Sequence, residues 1–374
     1  MTDPTPFIHQ ALGLAAQALF LSNPNPRVGC VITAADGRLL GQGFTQQAGG
    51  PHAEIMALRD AAARGHDVRG ATAYVTLEPC AHQGRTGPCC DALIGAGIGK
   101  VVASLADPNP LVAGQGFARL RAAGVAVEVG PGAEASRALN VGFFSRMERG
   151  TPWVRMKVAA SLDGFTALPN GASQWITSPE ARADGHAWRA RACTVLTGIG
   201  TVLADNPRLD VREVATPRQP QVAVVDSHLR TPVNAALFIA GRACTIYCGG
   251  AMDAAMQARR SALQAQGARV VHLPAPDGRV DLQAMLHDLG AQAVNELHVE
   301  AGQQLNGALA QAGLVDEWLL YLAPQLLGSG RGMALLPPFN TLAQALPLAF
   351  ESVQQVGPDL RILARSRTAA ELRA

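Results

Sequence analysis

A histidine at the start of one predicted helix and a cysteine beyond the end of one predicted strand constrain the fold of this chain more than any other feature. The segment Gly50-Pro51-His52-Ala53-Glu54 begins a helical pattern, because proline suits the first helical position and apolar residues recur at helical spacing after it. Residues 72–77 have the pattern of a strand, and Cys80 follows them. A strand end that faces a helix start would bring the two side chains together, which predicts a metal site.

The residue types in this part of the chain suit zinc. His52, Cys80 and one of the adjacent Cys89 and Cys90 would supply an imidazole and two thiolates and leave one position of a tetrahedral site open. Glu54 lies about 200° around the helix from His52, so it is a poor ligand but a plausible proton carrier beside the metal. A His-x-Glu sequence followed by Pro-Cys is typical of zinc deaminases, in which the metal activates a water molecule. The sequence therefore predicts hydrolytic deamination.

The spacing of the cysteines departs from the usual deaminase pattern. Two residues separate the cysteines in that pattern, whereas residues 81–88 separate Cys80 from Cys89 and must form a polar loop. One alternative is a histidine satisfied in the core beside ordinary buried thiols. Another is a closed structural zinc site with Cys90 or His82 as the fourth ligand. A purely structural site would have no use for Glu54, which favours the catalytic interpretation.

Three further polar residues are candidates for binding a substrate. Asn25 lies in a loop between two prolines and could bond to a sugar hydroxyl, or could simply form the turn. His82 and Arg85 could contact a phosphate from the loop between the cysteines, or could lie on a solvated loop face.

The composition excludes several classes of protein. With 374 residues, 48% of them apolar and 16% charged, the chain is long enough for about two domains with separate cores. A net charge of +2 gives no basic field of the kind on which nucleic-acid binding depends. Seven cysteines without regular spacing favour a reducing compartment over a disulfide framework. Because we find neither a signal peptide nor a membrane-spanning run, we expect a cytoplasmic protein that binds neither membranes nor nucleic acid.

Helices and strands alternate along both halves of the chain, which is typical of sheets covered by helices. Asp36-Gly37 between two strand-like runs predicts a β-hairpin. Residues 133–146 form a helical connector, and we predict two α/β domains, residues 1–147 and 148–374. The second should contain a mostly parallel sheet with an antiparallel end.

The second half carries weaker functional signals. Gly198-Ile199-Gly200 lacks the third glycine of the dinucleotide fingerprint, because Leu203 occupies that position, so a Rossmann site is not predicted. Glu300 ends a predicted strand, and Gly302 opens a predicted helix whose free N–H groups could hold a phosphate. A glycine that only permits a tight turn would give the same pattern.

Three segments of the first half resemble the riboflavin-biosynthesis pyrimidine deaminases: residues 23–31, 50–54 and 77–90. That family belongs to the cytidine deaminase fold, an α/β/α sandwich, and shares the long spacing between the cysteines. The resemblance implies His52, Cys80 and Cys89 as zinc ligands and Glu54 as the proton shuttle. It also favours Cys89 over Cys90.

Four segments of the second half are similar to the reductase half of the bifunctional bacterial enzymes: residues 157–164, 173–177, 201–207 and 299–302. The fold of that half resembles dihydrofolate reductase. The resemblance implies NADPH contacts from Ala159, Trp175, Thr201, Asp205, Ser227, Gly302, Gln303, Gln304, Leu305, Asn306, Gly307 and Ala308. It implies substrate contacts from Ser173, Arg189, Leu209, Arg212 and Glu300. The two arginines suit a phosphate monoester, and Lys157 and Asp205 are candidates for polar groups near the reacting carbon.

The resulting hypothesis is a bifunctional enzyme of riboflavin synthesis that binds Zn²⁺ and NADPH. It would deaminate 2,5-diamino-6-ribosylamino-4(3H)-pyrimidinone 5′-phosphate and then reduce the ribosyl group of the product to ribityl. The alternatives are a tRNA adenosine deaminase fused to a dihydrofolate reductase-like domain, and a non-catalytic zinc-stabilised binding module. Since subunit association is common in such enzymes, we also expect a homo-oligomer, either a dimer or a tetramer.

Overall fold

The structure is a computed structural model that describes residues 4–81, 87–110 and 112–366. The chain divides into two compact units, Met1–Gly150 and Thr151–Ala374. The predicted boundary, between residues 147 and 148, falls within the helix Val141–Arg149. The observed division comes just after that helix. Within the described ranges, no helix combines the length and apolar character needed to cross a membrane.

The first unit is built on a five-stranded sheet with the strand order β2-β1-β3-β4-β5. Its elements are α1 (Thr5–Ala16), β1 (Gly29–Thr33), β2 (Leu39–Phe44), α2 (Ala53–Ala63), β3 (Thr72–Val75), α3 (Cys89–Gly95), β4 (Lys100–Ala103), α4 (Gln115–Ala122), β5 (Ala126–Val129), α5 (Ala133–Leu139) and α6 (Val141–Arg149). Strands β1 and β2 form the predicted antiparallel hairpin, and β3, β4 and β5 run parallel to one another. The first helix is shorter than its apolar pattern, which extends to Leu21.

Apolar side chains alternate between the two faces of this sheet, and helices cover both faces. Cys30 and Ile32 of β1 belong to the cluster that includes Ala57 of α2. Val31, between them, packs in a second cluster with Ile8 of α1. Because neighbouring residues of a strand point to opposite faces, this pattern forms the predicted three-layer α/β/α sandwich.

Two glycines on β2 allow α2 to lie directly against the sheet. A Cβ atom at Gly41 would lie 2.3 Å from the carbonyl oxygen of Ala57, and one at Gly43 would lie 2.4 Å from Cβ of Met56. Only glycine permits so close an approach of helix and strand. The contact fixes the position of the first turn of α2, which carries Glu54 immediately after His52.

The second unit contains a nine-stranded sheet with the order β11-β10-β9-β8-β12-β6-β13-β16-β15, and a separate two-stranded ribbon of β7 and β14. Its strands are β6 (Trp153–Ser161), β7 (Phe165–Ala167), β8 (Thr194–Gly198), β9 (Gln221–Val225), β10 (Cys244–Cys248), β11 (Arg269–His272), β12 (Glu296–Val299), β13 (Glu317–Ala323), β14 (Arg331–Gly332), β15 (Leu348–Val356) and β16 (Asp359–Ser366). Its helices are α7 (Pro179–Arg191), α8 (Ile199–Asp205), α9 (Ala254–Ala265), α10 (Leu282–Ala291) and α11 (Gln303–Gln311), with a 3-10 turn at Leu342–Gln344. Strand β16 pairs antiparallel with both β13 and β15, and all other pairings of the large sheet are parallel, as predicted.

The order of the parallel strands creates a crevice at one edge of this sheet. Strand β12 lies between β8 and β6, although the chain forms both of those strands first. In open α/β sheets such a reversal leaves a crevice at the carboxyl ends of the strands, where ligands bind. The helices α8 and α11 begin at this edge, after β8 and β12.

A buried group of charges joins the same strands near their amino-terminal ends, away from the crevice. Arg155 of β6 pairs with Glu296 of β12 at 2.9 Å and with Glu317 of β13, and Arg191 of α7 pairs with Glu296 at 2.6 Å. Each carboxylate in this group faces a guanidinium, so every buried charge has a partner of opposite sign. These contacts fix the relative positions of the strands that carry the second cavity described below.

Candidate active sites

Three predicted metal ligands converge in the first unit. His52 lies at the start of α2, Cys80 lies beyond β3, and Cys89 is the first residue of α3. Nδ1 of His52 lies 3.6 Å from Sγ of Cys80 and 3.4 Å from Sγ of Cys89. All three ligand atoms lie within 4.8 Å of one another.

These distances fit a zinc ion. Tetrahedral zinc with bonds of about 2.0–2.3 Å to nitrogen and sulfur separates neighbouring ligand atoms by about 3.5 Å. One imidazole and two sulfurs are also a donor set that zinc prefers. The Cys89 side chain, through a hydrogen bond, lowers the pKa of the Cys80 thiol to about 4; burial opposes this effect and His52 adds to it. The site therefore favours a thiolate at Cys80.

Cys90 does not join this group of ligands. Its side chain belongs to the apolar core of the first unit, and its Sγ contacts Oδ1 of Asp91 at 3.8 Å. Burial raises the pKa of its thiol to about 11. His82, the other residue considered as a fourth ligand, and Arg85 lie outside the described residues.

Glu54 lies beside the three ligands rather than among them. Its side chain is only 3% exposed, in the first turn of α2. Burial raises the pKa of the Glu54 carboxyl to about 7, with a further contribution from the charge of Cys80 and an opposing one from His52. A carboxyl group with such a pKa can both accept and donate a proton near neutral pH.

His52, Cys80 and Glu54 line a cavity of about 510 Å³, and Cys89 lies behind this wall, within reach of the other two ligands. Asn25 lies in its wall, so the structure places this predicted substrate residue in the same cavity as His52, Glu54 and Cys80. Further polar residues that line the cavity are Thr45, Glu78, Asp107, Asn109 and Arg146. The volume is within the range of small-molecule sites.

Asp107 and Asn109 are site residues that the sequence analysis missed. They belong to the run Asp107-Pro108-Asn109-Pro110, which has the same proline-bracketed form as the loop around Asn25. The amide N–H of Asn109 donates to Oδ1 of Asp107 at 2.8 Å, so the two residues form one turn. The repeated Asn-Pro pattern could have indicated a second polar wall.

The second unit contains a larger cavity of about 830 Å³ at the crevice beside β8 and β12. Many of the residues predicted to bind NADPH line it: Ala159, Thr201, Asp205, Ser227, Gly302, Gln303, Gln304, Leu305 and Ala308. The predicted substrate residues that line it are Lys157, Ser173 and Glu300. One cavity is therefore lined by members of both predicted sets.

Three residues predicted to bind NADPH are not among those lining the cavity. Trp175 is 70% exposed and lies 4.5 Å from the guanidinium of Arg182. Asn306 is buried, and its Nδ2 donates to the carbonyl oxygen of Met333 at 2.9 Å. A Cβ atom at Gly307 would lie 2.0 Å from the carbonyl oxygen of Leu335. The last two residues face away from the cavity because one helix can present only one face to it.

The predicted substrate residues outside the cavity wall form a layer behind Glu300. Arg189 forms a two-pronged ion pair with Glu300 at 2.7 and 2.9 Å, and its Nη1 donates to the carbonyl oxygen of Asp210. Arg212 pairs with the side chain of Asp210. Leu209 is buried in the left-handed region, with φ of 53°. Arg189 therefore orients the Glu300 carboxylate.

The charges around Glu300 set its protonation. Burial alone would raise its pKa, but Arg189 and His298 together hold the pKa well below the ordinary value. His298 is buried with Nε2 at 3.4 Å from Oε1 of Glu300, and it was not predicted from the sequence. Burial lowers the pKa of Lys157, and the charge of Glu300 opposes that shift. The cavity thus places an ionised carboxylate beside a buried lysine whose protonated form that carboxylate favours.

Models of two protein families match the two units. The cytidine and deoxycytidylate deaminase zinc-binding region matches residues 1–105, and the RibD C-terminal domain matches residues 152–362. The fold and the matches together define an α/β deaminase-like unit followed by a reductase unit, which confirms the predicted architecture.

The similarity extends over nearly the whole chain. The riboflavin biosynthesis protein RibD of Escherichia coli (strain K12) is 45% identical over 95% of this chain and 97% of its own length. The structure of Acinetobacter baumannii RibD is 39% identical with a TM-score of 0.87, covering 97% of this chain and 99% of that one. A diaminohydroxyphosphoribosylaminopyrimidine deaminase/5-amino-6-(5-phosphoribosylamino)uracil reductase from Thermotoga maritima is 28% identical with a TM-score of 0.82, covering 97% of this chain and 98% of that one. The chain belongs to the RibD family of riboflavin biosynthesis proteins, and its two units are the deaminase and reductase parts of that bifunctional family.

Because these relatives match both halves together, the alternative of a tRNA deaminase fused to a dihydrofolate reductase-like domain is not favoured. The family also does not favour a non-catalytic binding module.

Proposed function

We propose that this chain deaminates 2,5-diamino-6-ribosylamino-4(3H)-pyrimidinone 5′-phosphate in its first unit and reduces the ribosyl group of the product with NADPH in its second. The observation that carries this proposal is the convergence of His52, Cys80 and Cys89, with His52, Cys80 and the buried Glu54 lining one cavity. The near full-length match to RibD proteins supports the second reaction. A cytoplasmic location, and a dimer or tetramer, stay predictions.

In the deaminase, His52, Cys80 and Cys89 would hold the zinc ion. Zinc bound there supplies a Lewis acid that activates water at neutral pH. The Glu54 carboxylate would take a proton from the attacking water and give it to the ring nitrogen; it would then carry the proton of the newly added hydroxyl to the amino group, which leaves as ammonia. Its burial, and a pKa near 7, suit a group that repeatedly gains and loses a proton. Asn25, Asp107 and Asn109 would hold the pyrimidine ribotide from the cavity wall.

In the reductase, the cavity at β8 and β12 would hold NADPH and the deaminated ribotide together. NADPH supplies a hydride to C1′ of the ribosyl group. As the bond between C1′ and the ring oxygen breaks, that oxygen takes a proton, for which Nζ of Lys157 is the candidate donor. Glu300, oriented by Arg189, would hold the substrate, and its negative charge favours the protonated form of Lys157 against the effect of burial.

Basic groups at the cavity support NADPH rather than NADH. Ser227, His228, Arg230 and Arg279 line it, and the two arginines are exposed. A hydroxyl and guanidinium groups suit the 2′-phosphate by which NADPH differs from NADH.

Replacing Arg230 with alanine is expected to raise the KM for NADPH by about tenfold, because a charge-assisted contact to the phosphate is lost. The KM for NADH, which lacks that phosphate, should change little. Steady-state kinetics with both cofactors measures the ratio. Arg365→Ala, which removes an arginine outside the residues lining the cavity, is the matched control. Equal changes for the two cofactors would refute the assignment.

Mass analysis of the products tests the proposed function. The purified chain is incubated with the diaminopyrimidine ribotide, with no cofactor, with NADPH or with NADH. Exchange of an amino group for oxygen raises the mass by about one unit and releases ammonia, and hydride plus proton then raise it by about two more. An unchanged substrate, or a product reduced before ammonia appears, would overturn the proposed order.

A further inference from the structure

Glu78 is an unusually well-bonded carboxylate beside the candidate metal site. It lies two residues before Cys80 and its side chain is only 5% exposed. Its Oε2 accepts hydrogen bonds from the backbone N–H groups of Asp107 at 3.1 Å and Gly114 at 2.9 Å. Its Oε1 accepts from Gly116 at 2.8 Å and Phe117 at 3.2 Å. Both oxygens of Glu78 therefore accept hydrogen bonds from the backbone of residues 107–117.

The donors belong to the wall of the deaminase cavity and to the helix that follows it. Asp107 begins the turn that includes Asn109, and both residues line the cavity. Gly116 and Phe117 lie in the first turn of α4, where the helix dipole favours a negative charge. No lysine or arginine of the described chain forms an ion pair with Glu78. Its negative charge is therefore stabilised by these four backbone N–H groups.

The same helix is held against the metal-binding residues at two further points. A Cβ atom at Gly116 would lie 2.0 Å from the carbonyl oxygen of Pro79, immediately before Cys80. Arg119 pairs at 2.7 Å with Asp91, near Cys89. Glu78 thus lies between the chain that carries Cys80 and the turn that carries Asp107 and Asn109.

We infer that Glu78 is a positioning residue for the deaminase reaction, which holds Asp107 and Asn109 at a fixed distance from the metal ligands. This inference rests on the proposed function. Glu78 is not a second proton carrier, because four N–H groups occupy its carboxylate oxygens. Although Glu78 is among the residues that line the cavity, backbone N–H groups occupy both of its oxygens, so it acts on the substrate through the turn that its hydrogen bonds fix.

Glu78→Gln tests this role with little change in shape. The amide oxygen can replace one carboxylate oxygen, but the amide NH₂ faces two N–H donors and cannot accept from them. The turn or the start of α4 must then move. We expect the KM for the pyrimidine ribotide to rise by about tenfold or more. The kcat should change less than the KM, and the bound zinc and the NADPH-dependent reductase activity should be unchanged.

A double-mutant cycle separates positioning from a general loss of stability. If Glu78 acts through the turn, Glu78→Gln should have little further effect on kcat/KM in a background that carries both Asp107→Ala and Asn109→Ala, because residues that act together are not additive. Glu128→Gln, which changes a half-exposed glutamate of β5 paired with Lys100, is the control and should match the wild type.

Three results would overturn the inference. They are an unchanged KM in Glu78→Gln, the same fold-change in both backgrounds, and a fall in kcat that follows loss of zinc. If the wild-type chain itself releases no ammonia from the ribotide, the proposed function fails instead. The two failures are therefore distinguishable.

Discussion

Replacing Glu54 with glutamine is expected to lower the kcat of deamination by about 10²- to 10⁴-fold, the usual contribution of a general acid–base group. Glutamine has nearly the same shape but cannot accept and return a proton. Since Glu54 lies beside the metal ligands rather than among them, the bound zinc should be unchanged. Ammonia release under saturating substrate, together with zinc analysis, measures the effect.

The reductase provides an internal control for the Glu54 variant. Its activity depends on the other unit of the chain, so NADPH oxidation with the deaminated ribotide as substrate should proceed at the wild-type rate. Glu134→Gln, a change at an exposed glutamate of α5, should leave both activities intact. Deamination by Glu54→Gln at the wild-type rate would show that another group carries the proton.

Replacing Cys80 or Cys89 with serine is expected to abolish zinc binding and deamination together. A serine hydroxyl stays protonated at neutral pH and is a far weaker zinc ligand than a thiolate. Zinc in the purified protein should fall from about one ion per chain to near zero. Metal analysis after dialysis and an ammonia assay measure the two losses, and reductase activity shows that the rest of the chain has folded.

Cys90→Ser is the matched control for these two variants. Cys90 is adjacent to Cys89 in sequence, but its sulfur lies in the apolar core and contacts Asp91. This variant should retain zinc and deaminate the ribotide. If Cys90→Ser lost zinc while Cys89→Ser kept it, the assignment of the third ligand would be wrong.

The sequence predicted the metal cluster because its parts are local. A helix start fixes His52, and the end of a strand-like run precedes Cys80; each has a short-range pattern. The choice between Cys89 and Cys90 needed a resemblance. In the structure α3 begins at Cys89, so the two side chains point about 100° apart around the helix and only one can face His52.

The sequence could not predict contacts that depend on distant parts of the chain. Nothing in the local pattern of Glu78 indicates that it accepts hydrogen bonds from Asp107 and Phe117. The buried pairing of Arg155 with Glu296 and Glu317 likewise joins strands far apart in sequence. The ribbon of β7 and β14 was missed because such short strands have no recognisable alternation.

In the reductase unit, helical periodicity would have refined the prediction. Residues 302–308 were all assigned to the cofactor, although a helix can present only part of its circumference to one ligand. The structure directs Asn306 and Gly307 towards Met333 and Leu335 instead. The parallel sheet with its antiparallel end was predictable, because continuous apolar runs separated by helices indicate buried parallel strands.

The zinc K-edge X-ray absorption spectrum of the purified chain tests the three-ligand site most directly. We predict two sulfur ligands at about 2.3 Å and one imidazole nitrogen at about 2.0–2.1 Å, with the remaining position taken by a light atom of solvent. In Cys90→Ser the sulfur contribution should be unchanged, and in Cys89→Ser the zinc edge itself should be lost because the variant binds no zinc. A spectrum with three or four sulfurs, or with none, would contradict a catalytic zinc site at His52, Cys80 and Cys89.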